Sequence, residues 1–274
     1  MTAQTVQPGP QSSPGTDTAR RVSVEVTLDY EVPEGADIML RIGAGRHQGQ
    51  RVLQHGYTSE TALAIREAPS STVWARAQGQ FRCTYRAEVE VDRSAAELAS
   101  LPAVPVQELP DEVLRYMVAS RYCPSDEFAS FVTSEFAETT GGARVQAIAD
   151  WVAEHLTYAA GVSNAHTTAL DTFVARQGVC RDFAHLVITL VRASCIPARI
   201  ASVYGATVTP PDFHAVAEVY LDGNWHLVDA TGMAGPEGLV KICDGRDAAD
   251  IAFMTIYGGA VNLTEQVVSV TADS

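Results

Sequence analysis

The chain has 274 residues, 46% of them hydrophobic, and carries a formal net charge of −14 with a pI near 4.8. This length allows one large core or two modest ones, because domains commonly run to about 100–200 residues, and we expect two. The negative charge argues against nucleic acid and membranes as partners, since binding to phosphate or anionic lipid needs clustered Lys and Arg. The 19 basic residues occur singly or in short pairs.

Nothing in the sequence resembles a targeting or membrane segment. The start of the chain has no apolar stretch of signal-peptide length, and no run of about 18 apolar residues follows. The five cysteines are widely spaced and form no CxxC pair, which favours free thiols in a reducing compartment and a cytoplasmic location. Residues 1–20 are rich in Pro, Gly, Ser, Thr and Gln. They are predicted to be a disordered tail, because they bury too little apolar surface to offset the entropy of ordering.

The first ordered part of the chain shows the pattern of β-strands. Over residues 22–32 every second residue is apolar, which is typical of a strand with one buried face. The alternation returns over 81–91, and shorter strand-like runs occur near 38–42 and 72–77 between Gly- and Gln-rich turns. We therefore predict a small antiparallel β-sandwich over residues 21–100.

A proline-rich segment separates this part from the rest. LPAVPVQELP contains three prolines, which disfavour helix at the preceding residues and predict an extended connector over 101–112. Further along, Ser125 and the two acidic residues after it are typical of a helix start, and apolar residues at helical spacing over 143–156 predict an amphipathic helix. The second unit, 113–274, is thus expected to mix α and β. No repeat or phosphate loop was found in the chain, so nucleotide chemistry is not expected.

A helix is predicted to start at Cys180. Gly178 is expected to end the helix before it as a left-handed cap, and an apolar stripe follows Cys180. A cysteine in the first helical turn faces unpaired N–H groups and the positive end of the dipole, which favour thiolate. Cys180 is therefore a candidate nucleophile, with a small buried hydrophobe as the alternative. Asp182 and His185 would either organise the same site or brace neighbouring strands.

The segment DFHAVAEVYLDGNWHLVDATG, residues 212–232, predicts a β-hairpin. Its Asp-Gly dipeptide is a strong two-residue turn signal, and such a turn pairs Leu221 with Asn224. In that register Asp229 lies diagonal to His214 on the same face, within reach of a hydrogen bond between carboxylate and imidazole. A turn of three residues would place the two side chains on opposite faces.

Cys180, His214 and Asp229 match the needs of thiol catalysis. Imidazole accepts the thiol proton and later protonates the leaving group, while the carboxylate fixes the tautomer and stabilises imidazolium. Taken singly, His214 has the alternative of a structural strand histidine and Asp229 that of a turn residue. The cysteines and histidines show no close set of three or four ligands, so neither a metal nor a cofactor is expected.

Several motifs together resemble the bacterial transglutaminase-like family. They are RYCPSD (121–126), GVCRDFAHL (178–186), IPAR (196–199), FHAVAEVYLDGNW (213–225) and DATG (229–232). The resemblance covers most of 115–260 and, less specifically, the β-rich region before it. It implies an α+β protein, with an N-terminal antiparallel β-sandwich followed by a papain-like transglutaminase core. In that core the helix bearing the cysteine packs on an antiparallel sheet, and Cys180, His214 and Asp229 match the triad positions.

The resemblance also implies acyl-enzyme chemistry on an amide bond of a peptide or protein. Hydrolysis by a cysteine peptidase or amidase is the preferred outcome, and transfer to an amine is the alternative. A catalytically silent peptide-binding module on the same fold is an alternative of another class, but all three triad residues are present. Arg181 stands where animal transglutaminases have tryptophan, so their substrate tunnel is not expected. The sequence leaves the oligomeric state open.

Three further residues are weaker candidates for the oxyanion site or the cleft. Gln177, three residues before Cys180, could donate to an oxyanion beside the Cys180 backbone N–H. Tyr204 could line the cleft, and Trp225, on the face of Asp229, could shield the Asp–His pair from water. Their alternatives are a surface glutamine and ordinary strand aromatics.

Overall fold

A computed structural model describes residues 19–66 and 71–273, so the predicted disordered tail lies almost wholly outside the described residues. The strands are β1 (Arg20–Leu40), β2 (Gln50–Ser59), β3 (Leu63–Arg66), β4 (Thr72–Val91), β5 (Thr157–Tyr158), β6 (Gln177–Gly178), β7 (Ala198–Gly205), β8 (His214–Leu221), β9 (Asn224–Val228), β10 (Leu239–Gly245), β11 (Met254–Tyr257) and β12 (Asn262–Ala272). The α-helices are α1 (Asp111–Leu114), α2 (Ala129–Glu135), α3 (Gly141–His155), α4 (Ala169–Ala175), α5 (Cys180–Ala193) and α6 (Ala248–Ile251). The protein has the predicted α+β class.

The first sheet is built on β1 and β4, which pair antiparallel over nearly their whole length. β12 and β2 flank one half of this pair, whereas β11 and β3 flank the other half. The halves meet where the register of β1 on β4 shifts, between Val32 and Ala36. Alternate residues of β1 such as Val22 and Val24 are at most 3% exposed. The period-two pattern of the sequence therefore identified the buried face of this sheet.

β11 and β12 come late in the chain but join the first sheet beside β1. The sequence pattern assigns all of 113–274 to one unit, whereas residues 254–272 extend the sheet that residues 20–91 begin. The physical reason is the second edge of β1, whose N–H and C=O groups need partners once β4 occupies the first edge. The domain boundaries predicted near residues 21, 101 and 113 remain predictions.

The segment between the sheets is only partly extended. A 3-10 turn at Val106–Glu108 and the start of α1 interrupt the connector predicted at 101–112. The amphipathic helix predicted at 143–156 is present as α3. Among the helices of the described residues, none is both long enough and apolar enough to cross a membrane.

The second sheet has the strand order β10-β7-β8-β9 and is antiparallel throughout. All residues of its inner strand β8 are buried. On one face, residues such as Ala217 and Val219 belong to the same core cluster as Leu186 and Leu190 of α5, and α5 packs on β7 and β8. The helix that begins with Cys180 therefore lies on an antiparallel sheet, as the family resemblance implies.

A cluster of buried charges ties three strands of this sheet together. Glu218 on β8 accepts hydrogen bonds from Lys241 Nζ on β10 at 2.6 and 2.9 Å and from Arg199 Nε on β7 at 2.6 Å. Asp244 pairs with Arg199 at 3.0 Å and with Lys241 at 2.8 Å. Burial alone would raise the pKa of Glu218, but the charges of Lys241 and Arg199 hold this pKa below its ordinary value of 4.5.

Candidate active site

Cys180 is a half-buried residue at the first position of α5. The turn before it is held by the fully buried carboxylate of Asp182, which accepts hydrogen bonds from Val179 N at 2.8 Å and Ser163 Oγ at 2.9 Å. Arg181 Nη2 donates to the same Ser163 hydroxyl at 2.6 Å. Asp182 therefore braces the turn that presents Cys180, and its negative charge suits a helix N-terminus.

The chain reaches Cys180 through a left-handed residue, but this residue is not Gly178. Arg176 ends α4 with a φ of 57°, and its guanidinium lies 4.3 Å from the ring centroid of Phe173 and 4.8 Å from that of Trp151. These cation–π contacts help to offset the cost of the left-handed conformation. Gly178 instead permits a close approach, because a Cβ there would lie 2.6 Å from Asp182 Cβ. The predicted glycine cap is therefore wrong.

His214 and Asp229 meet across the hairpin of β8 and β9. The predicted pairing of Leu221 with Asn224 is confirmed. His214 Nε2 and Asp229 Oδ2 lie 2.9 Å apart, and the two side chains are only 1% and 4% exposed. A two-residue turn thus brings these side chains together without water between them.

Asp229 is held in place by further donors. Its Oδ1 accepts from Thr231 N at 3.0 Å and from Thr231 Oγ1 at 2.6 Å, and its Oδ2 also accepts from Ala234 N at 3.2 Å. Burial would raise the pKa of Asp229, but the hydrogen bonds from His214 and Thr231 bring this pKa below the ordinary value of 3.8. Asp229 is therefore a carboxylate at neutral pH.

Asp229 and Cys180 both act on His214, because both side chains contribute to the raised pKa of its ring. Asp229 is bonded to Nε2, which leaves Nδ1 as the ring nitrogen available to Cys180. Burial alone would lower the pKa of His214, but the hydrogen bonds to Asp229 and Cys180 and their negative charges raise it to about 9. The ring can therefore hold a proton beside the sulfur at neutral pH, as general acid–base chemistry requires.

The structure contradicts one of the weaker candidates. Tyr204 is fully buried, and its hydroxyl donates to Ile42 O at 2.6 Å. This core contact removes Tyr204 from the cleft. Trp225 packs on Tyr116 and Tyr220 with ring centroids 5.3 and 5.1 Å away, at the turn end of β9. It also lines the same cavity as Asp229, and its role as a shield of the His214–Asp229 pair stays a prediction.

The remaining candidates lie near the cysteine helix but differ in environment. Gln177 is exposed on β6, two residues before Val179. His185 is fully buried, stacks on Tyr122, and accepts from Ala248 N at 3.1 Å. Burial lowers the pKa of His185 to about 3, so its ring is neutral and braces α6.

The comparisons with known proteins agree with this geometry. Residues 129–230 match a family model described as the Transglutaminase-like superfamily. The crystal structure of a "Putative Cysteine Protease" from Cytophaga hutchinsonii superposes with a TM-score of 0.88 at 33% identity, covering 93% of this chain and 92% of that one. The chain belongs to the bacterial transglutaminase-like family.

Curated relatives of this transglutaminase-like protein occur in mycobacteria. Uncharacterized protein ML0607 of Mycobacterium leprae is 32% identical over 125 residues, which are 42% of this chain and 44% of that protein. Uncharacterized protein Rv2569c of Mycobacterium tuberculosis is 32% identical over 110 residues, 35% of each chain. The match thus spans less than half the length of these relatives. The family and the Cytophaga structure indicate a cysteine-based enzyme in general, and Cys180, His214 and Asp229 all lie within the matched range 129–230.

A cavity of about 540 Å³ in this transglutaminase-like protein is lined by Asp229, whereas Cys180 and His214 are not among its lining residues. Asp229 and Tyr158 line it, together with residues 225–228 and one face of α3. Successive residues of a strand point to opposite faces, so a cavity lined by all of 225–228 meets the edge of β9. β9 is the last strand of its sheet. Such an edge can receive an extended polypeptide through main-chain hydrogen bonds.

Replacing Asp229 by asparagine is expected to lower the pKa of His214 from about 9. The carboxylate stabilises imidazolium whereas a neutral amide does not, so the ring should lose its proton about 1 pH unit lower or more. An NMR titration of 13C-labelled histidine measures this directly. Asp222→Asn is the matched control, because it removes an exposed carboxylate from the turn of the same hairpin. An unchanged His214 titration in the Asp229 variant would contradict the coupling.

Proposed function

We propose that the protein is a cysteine hydrolase that forms an acyl-enzyme on Cys180 from an amide bond of a peptide or protein. The observation that carries this proposal is the hydrogen bond of 2.9 Å between His214 and Asp229, together with the influence of Cys180, at the start of α5, on the pKa of the same ring. In this proposal Cys180 is the nucleophile, His214 is the base that takes its proton, and Asp229 is the carboxylate that orients the ring.

In the proposed reaction the proton of Cys180 has already passed to Nδ1 of His214, as the raised pKa of the ring allows, and the thiolate attacks the carbonyl carbon. The tetrahedral intermediate collapses, the C–N bond breaks, and His214 protonates the departing amine. Water then attacks the thioester as the neutral ring takes one of its protons, and collapse of this second intermediate releases the carboxylic acid and restores the thiolate beside the protonated ring. Asp229 keeps the ring oriented and stabilises its positive form throughout.

Two features support a peptide or protein substrate and hydrolysis as the outcome. The cavity that Asp229 lines follows the edge of β9, where a substrate backbone can add as an extended strand. Arg181 replaces the tryptophan of animal transglutaminases and is engaged with Ser163 Oγ and Asn164 O at 2.6 and 3.0 Å. Transfer to an amine remains the alternative, with the amine in the place of water.

The intact triad favours an enzyme over a silent peptide-binding module. A binding module gains nothing from a buried carboxylate held by Thr231 and Ala234 against His214. We also propose a cytoplasmic location, supported by the absence of disulfides among the five cysteines, all of which lie within the described residues.

The proposal predicts that p-nitrophenyl acetate acetylates Cys180 selectively. Site mapping by mass spectrometry during a rapid-quench time course should show acetyl-Cys180 forming before the exposed Cys195 is modified, because His214 can act as a base on Cys180. Adding cadaverine then distinguishes the two outcomes, since acetyl-cadaverine reports transfer and acetate reports hydrolysis. Equal acetylation of Cys180 and Cys195, or none at Cys180, would remove the proposed function.

A further inference from the structure

Arg93, just after β4, is a half-buried cation in the wall of the cavity that Asp229 also lines. Its Nη1 donates to Pro236 O at 3.0 Å and to Leu239 O at 2.9 Å, on the segment that leads into β10. The Nε and Nη2 atoms have no hydrogen-bond partner among the described residues, and neither is wholly buried. One side of the guanidinium is therefore fixed by the fold, whereas the other side is open to a ligand.

Arg93 has no counter-ion of its own. No Asp or Glu in the described part of the chain forms an ion pair with its guanidinium. Burial lowers the pKa of Arg93, and the negative charge of Glu218 offsets this effect only in part. Glu218 is in turn bonded to Lys241 and Arg199. A partly buried charge without a partner is costly, so an anion that enters the cavity would be stabilised at Arg93.

The two faces of the β9 edge differ in what lies over them. Val228 belongs to the same core cluster as Ile148 of α3. Leu227, the residue before it, packs in a second cluster with Leu239. Arg93 is bonded to Leu239 and therefore lies on the Leu227 side. A peptide that adds to β9 as a strand alternates its side chains between these two sides, so every second side chain points to the side of Arg93.

The α3 side of the cavity carries the opposite charge. Asp150 lines the cavity from α3 and accepts a hydrogen bond from Gln146 Nε2 at 2.8 Å. A carboxylate on the α3 side would be repelled by Asp150, whereas a carboxylate on the opposite side would be attracted by Arg93. The charges of the cavity wall therefore discriminate between neighbouring positions of an extended peptide.

Building on the proposed function, we propose that Arg93 binds a carboxylate of the peptide substrate and makes the enzyme selective for acidic peptides. The N–H groups on Nε and Nη2 project side by side as a fork that matches the two oxygens of a carboxylate. The carboxylate can belong to an acidic side chain or to the C-terminus of the peptide, because both present the same pair of oxygens. Cys180 does not line this cavity, so Arg93 selects the substrate and takes no part in the chemical step.

The test measures peptide binding to the full-length Cys180→Ala protein, in which no turnover is expected. Three fluorescent heptapeptide pools without other acidic residues are compared: central glutamate with an amidated C-terminus, central glutamine with an amidated C-terminus, and central glutamine with a free C-terminus. A pool that supplies the carboxylate bound by Arg93 should have a Kd about 10- to 100-fold lower than that of the amidated glutamine pool. The pool that shows this gain identifies the source of the carboxylate.

Arg93→Gln should abolish this preference and leave the binding of the amidated glutamine pool nearly unchanged. A merely structural role of Arg93 would instead weaken the binding of all three pools alike. Arg144→Gln is the matched control, because Arg144 is also half-buried and donates to a backbone carbonyl, Phe136 O at 3.1 Å, but does not line the cavity. If Arg93→Gln does not fold, Arg93→Lys takes its place. Lysine keeps the charge without the fork, so the preference should shrink and persist.

Equal binding of the three pools by the protein that carries Arg93, or binding of none of them, overturns the inference. A preference that survives in Arg93→Gln, or that is undiminished in Arg93→Lys, would show that the Arg93 fork does not hold the carboxylate. In each of these cases, selective acetylation of Cys180 in the wild-type protein would leave the proposed function standing. Conversely, a carboxylate preference without acetylation of Cys180 would remove the hydrolase and leave Arg93 as the anion-binding residue of a peptide-binding protein.

Discussion

Cys180→Ala is expected to abolish acyl-enzyme formation and any amidase or transferase activity. Loss of a nucleophile removes its whole covalent pathway, so the rate should fall by about 10⁴-fold or more. The fold should survive, because Asp182 and Val179 still close the start of α5 and Cys180 itself is only half-buried. Product formation from p-nitrophenyl acetate and from casein peptides, with circular dichroism of the same sample, measures both effects.

Cys195→Ala is the matched control for this variant. Cys195 is an exposed free thiol just after the end of the same helix. Its replacement removes one reactive thiol and leaves Cys180, His214 and Asp229 unchanged. We expect full activity. Activity retained in Cys180→Ala would show that another group is the nucleophile.

Glu218→Gln is expected to cause the largest loss of stability, about 3–5 kcal/mol in the free energy of unfolding. The amide has the same shape as the carboxylate but removes the negative charge that Lys241 and Arg199 share. The two cations would then have only Asp244 as an anionic partner in the cluster. Urea unfolding at pH 7 measures the difference.

Asp37→Asn supplies the matched carboxylate-to-amide control. Asp37 pairs with Arg76 at 2.9 Å, but the two side chains are 48% and 72% exposed, so the cost should stay below about 1 kcal/mol. If Glu218→Gln cost no more than this, the buried cluster would not stabilise the sheet.

The stabilising contribution of Glu218 should also depend on pH. The folded protein holds the pKa of Glu218 below the ordinary value of 4.5. The contribution is therefore fully present above pH 4.5 and is lost as the pH falls through the lower folded value. Wild type and Glu218→Gln should consequently converge in stability toward acid, whereas a constant difference would contradict the assignment.

The parts of this protein that the sequence predicted are those that depend on short-range geometry. Strand alternation marks the buried face of β1 because the side-chain period is two whatever lies around it. The Asp-Gly turn fixes the register of β8 and β9, and parity then places Asp229 with His214. The position of Cys180 at a helix start follows from a similarly local pattern.

The features that the sequence did not predict depend on contacts between distant segments. Tyr158 is brought opposite Gly178 by a pairing of only two residues on each side, which is too short to leave a periodic pattern in the sequence. The residues around Tyr204 are typical of an exposed strand end. Its hydroxyl is nevertheless buried, because it donates a hydrogen bond to the carbonyl of Ile42, which is far away in the sequence. Arg176 adopts a left-handed conformation that its own residue type disfavours, because Phe173 and Trp151 provide a surface for its guanidinium.

Because β11 and β12 pair with β1, the segment that carries Cys180, His214 and Asp229 lies in the chain between strands of the same sheet. During synthesis, β1 and β4 are available early, but the second edge of β1 stays open until residues 254–272 leave the ribosome. The sheet is therefore completed after the triad residues have all been made, which gives it long-range contacts and slow closure. Cleavage of the chain within the connector, residues 101–112, would not separate the two sheets into different fragments. The reason is that the chain returns to the first sheet at β11, after it has formed the second sheet.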